Sequence, residues 1–407
     1  MKFQTSNSKF QISIVGAGPA GASLAIRLAN QGFSVNLIER EKFPRHKLCG
    51  EFISPECLTH FKDLGVLEEM LDGGGERVTE TVFYEPNGKS VTVPSKWFGN
   101  MQGALSLSRA EMDLRLLEKA KQCGVKVLEE TSVTGVLFEN DEVCGVKVKN
   151  IGGNTREIFS DLTIDATGRA NVLLKFAEKE ISRKGAKAQR TNDNGQRTKL
   201  VGFKTHLKHA NLKKGVCEIY FFRGGYGGLS FVEKDLANHC FLVKAEIVKE
   251  FAGDANKIVE EVIFQNRRAR ETMQNAKPVF DWLAVSVDGF GRKNLNPAKN
   301  LLTVGDAAAF IDPFTGSGML MALESAEILA RTINENALVS DKIAENYEKL
   351  HEERFQKRLR ICSILRRAAF VPNFAKLAIS ALSLSKTARI FLAHSTRRTL
   401  SAERNKS

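Results

Sequence analysis

Six residues near the N-terminus constrain this chain more than any other feature: Gly16-Ala17-Gly18-Pro19-Ala20-Gly21. An apolar run at 11–15 precedes them, and behind them Ala20, Leu24, Ala25 and Leu28 recur at the three- and four-residue steps of a helix face. Gly32 is placed to end that helix, and a second apolar run at 35–38 finishes at Glu39. Strand, glycine turn, helix, strand and acid form a complete βαβ start, the context that separates a dinucleotide turn from an ordinary structural one. Gly16 permits the tight turn, Gly18 lets backbone N–H groups approach a diphosphate, and Gly21 lets helix and strand pack closely. The helix start favours the negative charge, and Glu39, followed by Arg40, is placed to accept a hydrogen bond from a ribose hydroxyl.

The chain has 407 residues, enough for two or three domains, and its net charge is +13. That charge is uneven: residues 351–407 hold 13 basic and three acidic side chains, +10 of the total. The body is therefore no polyanion binder, and no nucleic-acid fold motif accompanies the basic end. Seven cysteines, none in a Cys-x-x-Cys pair, argue against a disulfide scaffold and a zinc ribbon. The seven histidines form no metal pattern; His206 and His209 fall on a strand-like segment, where a three-residue step points them to opposite faces, and pocket-rim or surface roles are expected. No metal is expected. The polar start has no signal-peptide core and no run reaches ~18 apolar residues, so a reduced cytoplasm is the expected compartment.

A second glycine-rich turn lies far along the chain. A buried-type strand at 301–304 runs into Gly305-Asp306, then Asp312-Pro313-Phe314-Thr315-Gly316-Ser317-Gly318-Met319 opens a helix expected over 320–331. Other blocks stand between: Lys47-Leu48-Cys49-Gly50-Glu51, Ser108-Arg109 to Asp113, Asp165-Ala166-Thr167-Gly168-Arg169, and Gly224-Gly225-Tyr226-Gly227-Gly228. With these blocks in this order the sequence resembles the FAD-dependent oxidoreductases of the p-hydroxybenzoate hydroxylase fold, in the branch of geranylgeranyl reductases and related monooxygenases.

The resemblance implies an α/β fold, with a Rossmann-type FAD-binding domain over 1–80, 101–172 and 286–340 and an inserted antiparallel β-sheet substrate domain over 81–100 and 173–285. The sheet is expected in four runs, 200–207, 216–222, 228–232 and 240–248, and 178–198 as a surface loop. The implied FAD contacts are Gly16, Gly18, Ala20, Gly21, Glu39, Arg40, Cys49, Gly50, Arg109, Gly305, Asp306, Pro313, Gly316, Gly318 and Met319. Tyr226 would face the substrate. Glu51 would position the flavin loop or act as an acid or base. No residue is singled out as catalytic, because flavin carries the hard chemistry.

The resemblance implies NAD(P)H-dependent hydroxylation of an aromatic, polyketide-like or lipidic small molecule. The alternative is reduction of isoprenoid double bonds; a second is a flavin-binding, membrane-docked protein without turnover. The reductases' Tyr-x-Trp-x-Phe-Pro signature is degraded here, with Gly228 for tryptophan, which favours the monooxygenase. With Trp97 and Trp282 the only tryptophans, the halogenase signature is absent. The C-terminal region, 341–407, is expected to be helical. Within it, apolar residues of 361–392 alternate with Arg366, Arg367, Lys376, Lys386 and Arg389, the pattern either of a packed lid or of a peripheral membrane contact.

Overall fold

The structure, a computed structural model, describes residues 10–98, 103–183, 199–336, 340–370 and 374–395. Its centre is a five-stranded parallel sheet in the order Leu301–Thr303, Leu162–Asp165, Gln11–Val15, Ser34–Ile38, Lys126–Leu128. Side chains alternate between the faces of a strand, so the middle strand feeds two cores. Ile12 and Ile14 join the cluster with Leu24 and Leu28 of the helix Pro19–Asn30, Leu116 and Leu117 of Arg109–Gln122, and Leu323 of Gly318–Glu335. Val15 joins Val143, Val146 and Val148 of a three-stranded antiparallel sheet on the other side.

A second sheet of eight strands runs Lys277–Pro278, Leu200–Lys208, Ala237–Lys244, Gly225–Phe231, Val216–Phe222, Glu80–Tyr84, Ser90–Pro94, with Leu283–Val287 also pairing Leu200–Lys208. All its pairings are antiparallel except Val216–Phe222 with Glu80–Tyr84. Phe203, Tyr220 and Phe241 pack against Ile247, Ile258 and Ala269, which belong to the short helices Ala245–Glu250, Ala255–Glu261 and Arg267–Met273. Leu200, Phe221, Tyr226 and Leu242 turn the other way and meet Phe310 and Ile379. The C-terminus forms three helices, Ser340–Ala369, Phe374–Leu384 and Lys386–Ser395. The first is anchored by Arg354 and Arg358, which bond the Glu324 carboxylate at 2.6 and 2.7 Å. Among the described residues no helix is long and apolar enough to cross a membrane.

Three local expectations change. The run 240–248 is not one strand: it ends at Lys244, whose N–H bonds Gly224 O, and Ala245–Glu250 is helical so that Ile247 reaches the core. Residues 178–183 are not loop but the end of the helix Val172–Arg183, whose Leu173 and Ala177 are buried four residues apart; 184–198 lie outside the described residues. The third strand of the sheet begins at Gly225 rather than 228, because the left-handed turn is made by Gly224 (φ +71°).

Candidate functional site

A cavity of about 930 Å³ lies between the two sheets. At one end are Gly16, Gly18 and Ala20 of the glycine turn, with Glu39 and Arg40. Cys49, Gly50, Arg109, Asp306, Pro313, Gly316, Gly318 and Met319 line it further along, and Tyr226 lines it under the second sheet. Gly21 and Gly305 are not in its lining: both serve close packing. A Cβ on Gly21 would stand 1.9 Å from Gly16 O, and one on Gly305, which has φ +65°, would stand 2.7 Å from Ala20 Cβ.

Gly18 is different. Its backbone is extended (φ −72°, ψ −175°) at the start of the helix Pro19–Asn30, and the nearest atom to a Cβ there would be Arg109 Nη2 at 3.6 Å. A side chain would enter the cavity rather than the protein. Glu39 is buried and accepts the Ala17 N–H at 2.9 Å, fixing the turn to the end of the second strand. Arg45 sits 3.6 Å from Glu39 and 2.6 Å from Asp113, a buried carboxylate that also takes Arg109 at 2.7 and 2.9 Å. Arg109 stays charged despite its burial because Asp113 is beside it. Lys47 is pushed down by burial and by the neighbouring Arg45. Arg109 thus reaches the helix start, and Arg45 and Lys47 line the same cavity, an excess of positive charge over Asp113 and Glu39 that suits a diphosphate.

The opposite wall is held by unexpected partners. Asn171, in a left-handed conformation (φ 45°), donates to Ala307 O at 2.9 Å and accepts from Lys293, which also donates to Asp306 O at 3.1 Å. The Asp306 carboxylate faces the cavity and makes no hydrogen bond to a described side chain or backbone group. Burial raises its pKa while Arg169, Lys293 and Arg109 pull against that. Asp165 does not line the cavity; it accepts the N–H groups of Thr167, Leu173 and Leu174 and so secures the turn from within.

Glu51 is fully buried at φ +54°, an uncommon conformation for a side-chain-bearing residue. Its carboxylate takes the Arg109 N–H at 2.7 Å, Lys204 Nζ, and His206 Nε2 at 2.7 Å. Lys204 also donates to Lys47 O at 3.0 Å. The pair therefore clasps the 47–51 loop, which lines the cavity, to the second sheet. Burial alone would raise the Glu51 pKa, but Lys204 and the His206 hydrogen bond bring it below the ordinary value. His206 is thus neither rim nor surface. The available signal was Lys204 and His206 two apart in a buried strand, hence on one face. Tyr226 OH donates to Asp312 Oδ1 at 2.6 Å, a bond across 86 residues that no local pattern signals.

The cavity is polar at the helix start and lined mainly by apolar side chains beyond it. The family described as FAD binding domain matches residues 9–355, so the chain belongs to it and is an FAD-dependent oxidoreductase. Digeranylgeranylglycerophospholipid reductase 1 of Methanococcoides burtonii is 27% identical over 350 residues, 84% of this chain and 79% of that protein. A tryptophan 2-halogenase of Chondromyces crocatus is 26% identical over 80% of this chain and 61% of that protein. The fold matches a geranylgeranyl bacteriochlorophyll reductase-like protein of Thermoplasma acidophilum with TM-score 0.74 at 19% identity, covering 96% of both chains. It matches a flavin-dependent brominase with TM-score 0.73 at 18% identity, covering 95% of this chain and 94% of that one.

The residues present fit FAD on two counts: the space that a Gly18 Cβ would fill, and the Asp306 carboxylate, which lines the cavity and makes no hydrogen bond to a described side chain or backbone group. Asp306→Ala is expected to weaken FAD retention ten- to a hundred-fold, as loss of a charge-assisted hydrogen bond of ~1.5–3 kcal/mol implies. Titration of FAD into stripped protein measures it; an unchanged affinity would remove Asp306 from the cofactor site.

Proposed function

We propose that the chain saturates a carbon–carbon double bond in an isoprenoid or similarly lipidic molecule, with NAD(P)H as the source of electrons. The carrying observation is the chamber beneath the second sheet, walled by Phe83, Val91, Ile219, Phe221, Leu382 and Leu392. Such a wall gains free energy by burying hydrocarbon and offers little to a polar ring. FAD, when bound, supplies the two-electron chemistry. The chain's own residues bind and orient: the helix start with Arg45, Lys47 and Arg109 would hold the diphosphate, Glu39 a ribose, and Asp306 a cofactor hydroxyl.

Tyr226 supplies the second support. Its hydroxyl donates to the buried Asp312 at 2.6 Å, and burial together with the Asp312 charge raises its pKa well above the usual range. It therefore does not furnish the base that hydroxylating a phenol calls for. The reductases among the relatives act, by their names, on a digeranylgeranyl lipid.

A second reading is NAD(P)H-dependent oxygen insertion. Gly228 favours it, since it lines the cavity at the position where the reductase signature has tryptophan. Mass spectrometry of the product formed from a polyprenyl lipid by chemically reduced protein, with and without O2, separates the two. The expected product gains two hydrogens and forms without oxygen. One atom of oxygen in the product, formed only in air, would overturn saturation in favour of the second reading.

A further inference from the structure

The C-terminal helices have two faces of opposite use. Leu365, Ile379 and Leu382 point inward and line the cavity. Ile364, Leu377 and Leu384 point outward and are 66%, 70% and 89% exposed. The cations divide the same way. Arg366 lies 4.4 Å over the Phe290 ring and Arg389 donates to Thr92 O at 3.3 Å, so both serve the interior. Arg367, Lys376 and Lys386 are exposed alongside the outward apolar residues. From 361 to 395 the sequence contains no aspartate or glutamate.

We infer that the outer face of 364–386 is a docking surface for an anionic lipid bilayer, set so that the helices walling the chamber rest on the membrane. This rests on the proposed lipidic substrate. Such a molecule resides in a bilayer, and a chamber whose wall is also the membrane contact receives it without a crossing through water. Charge complementarity commits the face to this occupant: three outward cations and no acid in the segment match phosphate headgroups, while separate aliphatic side chains enter the acyl boundary. The longest of the helices, Ser340–Ala369, carries too many charges to span a membrane, so the contact is tangential.

Sedimentation of the FAD-loaded protein with vesicles tests the surface without any turnover. Binding is expected to phosphatidylcholine vesicles containing phosphatidylglycerol, to weaken with salt, and to be far lower on phosphatidylcholine alone. The triple variant Arg367→Gln, Lys376→Gln, Lys386→Gln should bind on the order of a hundred-fold more weakly. Leu377→Ser with Leu384→Ser should lose roughly ten-fold or more. None of these five side chains lines the cavity, so both variants should keep their FAD absorbance, which reports folding. Wild type that ignores anionic vesicles, or binding indifferent to both variants, overturns the inference. So does a wild-type dimer that the leucine variant splits into monomers, which would assign the face to a second copy. The reaction assignment fails separately, on product mass alone.

Discussion

Gly18→Val is expected to purify colourless yet folded. The backbone at Gly18 is extended, which any residue adopts, and the nearest neighbouring atom to a Cβ there would be Arg109 Nη2 at 3.6 Å, so the apoprotein should lose under ~1 kcal/mol of stability. The valine methyls would occupy the space where a diphosphate must approach the first N–H groups of the helix. FAD affinity should fall by more than a hundred-fold, about 3 kcal/mol or more. Flavin absorbance and a thermal melt read the two effects separately. A yellow Gly18→Val protein with normal affinity would remove the diphosphate from this helix start.

Glu51→Ala should carry the largest cost in stability, ~3–5 kcal/mol, because it leaves Lys204 and its neighbours buried around no counter-charge. The dependence on pH has a definite sign. Glu51 in the folded chain titrates below its ordinary value, so its contribution is full at neutral pH. It is lost as pH falls beneath the usual glutamate range toward the lower folded-state pKa. Denaturant melts of wild type and variant should therefore converge in acid and separate toward neutrality. Adding Lys204→Met should restore much of the loss, since it removes the stranded charge. A variant as stable as wild type at neutral pH would mean the clasp contributes nothing.

The parts of the fold legible in the sequence are those whose causes are local. The first βαβ unit could be read because a turn, a helix period and an acid all fall between residues 11 and 39, and the structure has strand, helix and strand there. The Glu51 clasp could not, because its partners Lys204 and His206 lie 153 and 155 residues away, joined only by the docking of two sheets. Tyr226 was expected at the substrate and does line the cavity, but its hydroxyl is engaged by Asp312, 86 residues on. Gly21 was expected both to pack helix on strand and to meet the cofactor, and the packing role is visible in the approach of Gly16 O. Gly305 was expected at the cofactor, and its close approach to the Ala20 Cβ, from far along the chain, is a demand that a glycine in a motif does not reveal on its own. At 240–248, a uniform β-rich composition concealed the point where the ladder ends.

The contact between Gly305 and Ala20 has a temporal side. The turn that begins the chain is completed against a strand and turn, Leu301–Thr303 and Gly305–Ala307, that leave the ribosome nearly three hundred residues later. Until then the central sheet lacks an edge strand, and the first helix start, however well made, forms one side of an open groove. Non-local closure of this kind is slow, since the loop entropy must be met before the contacts form. Capture of the dinucleotide is thereby tied to synthesis past residue 307: a copy that stops short of it has the first turn but not the cradle.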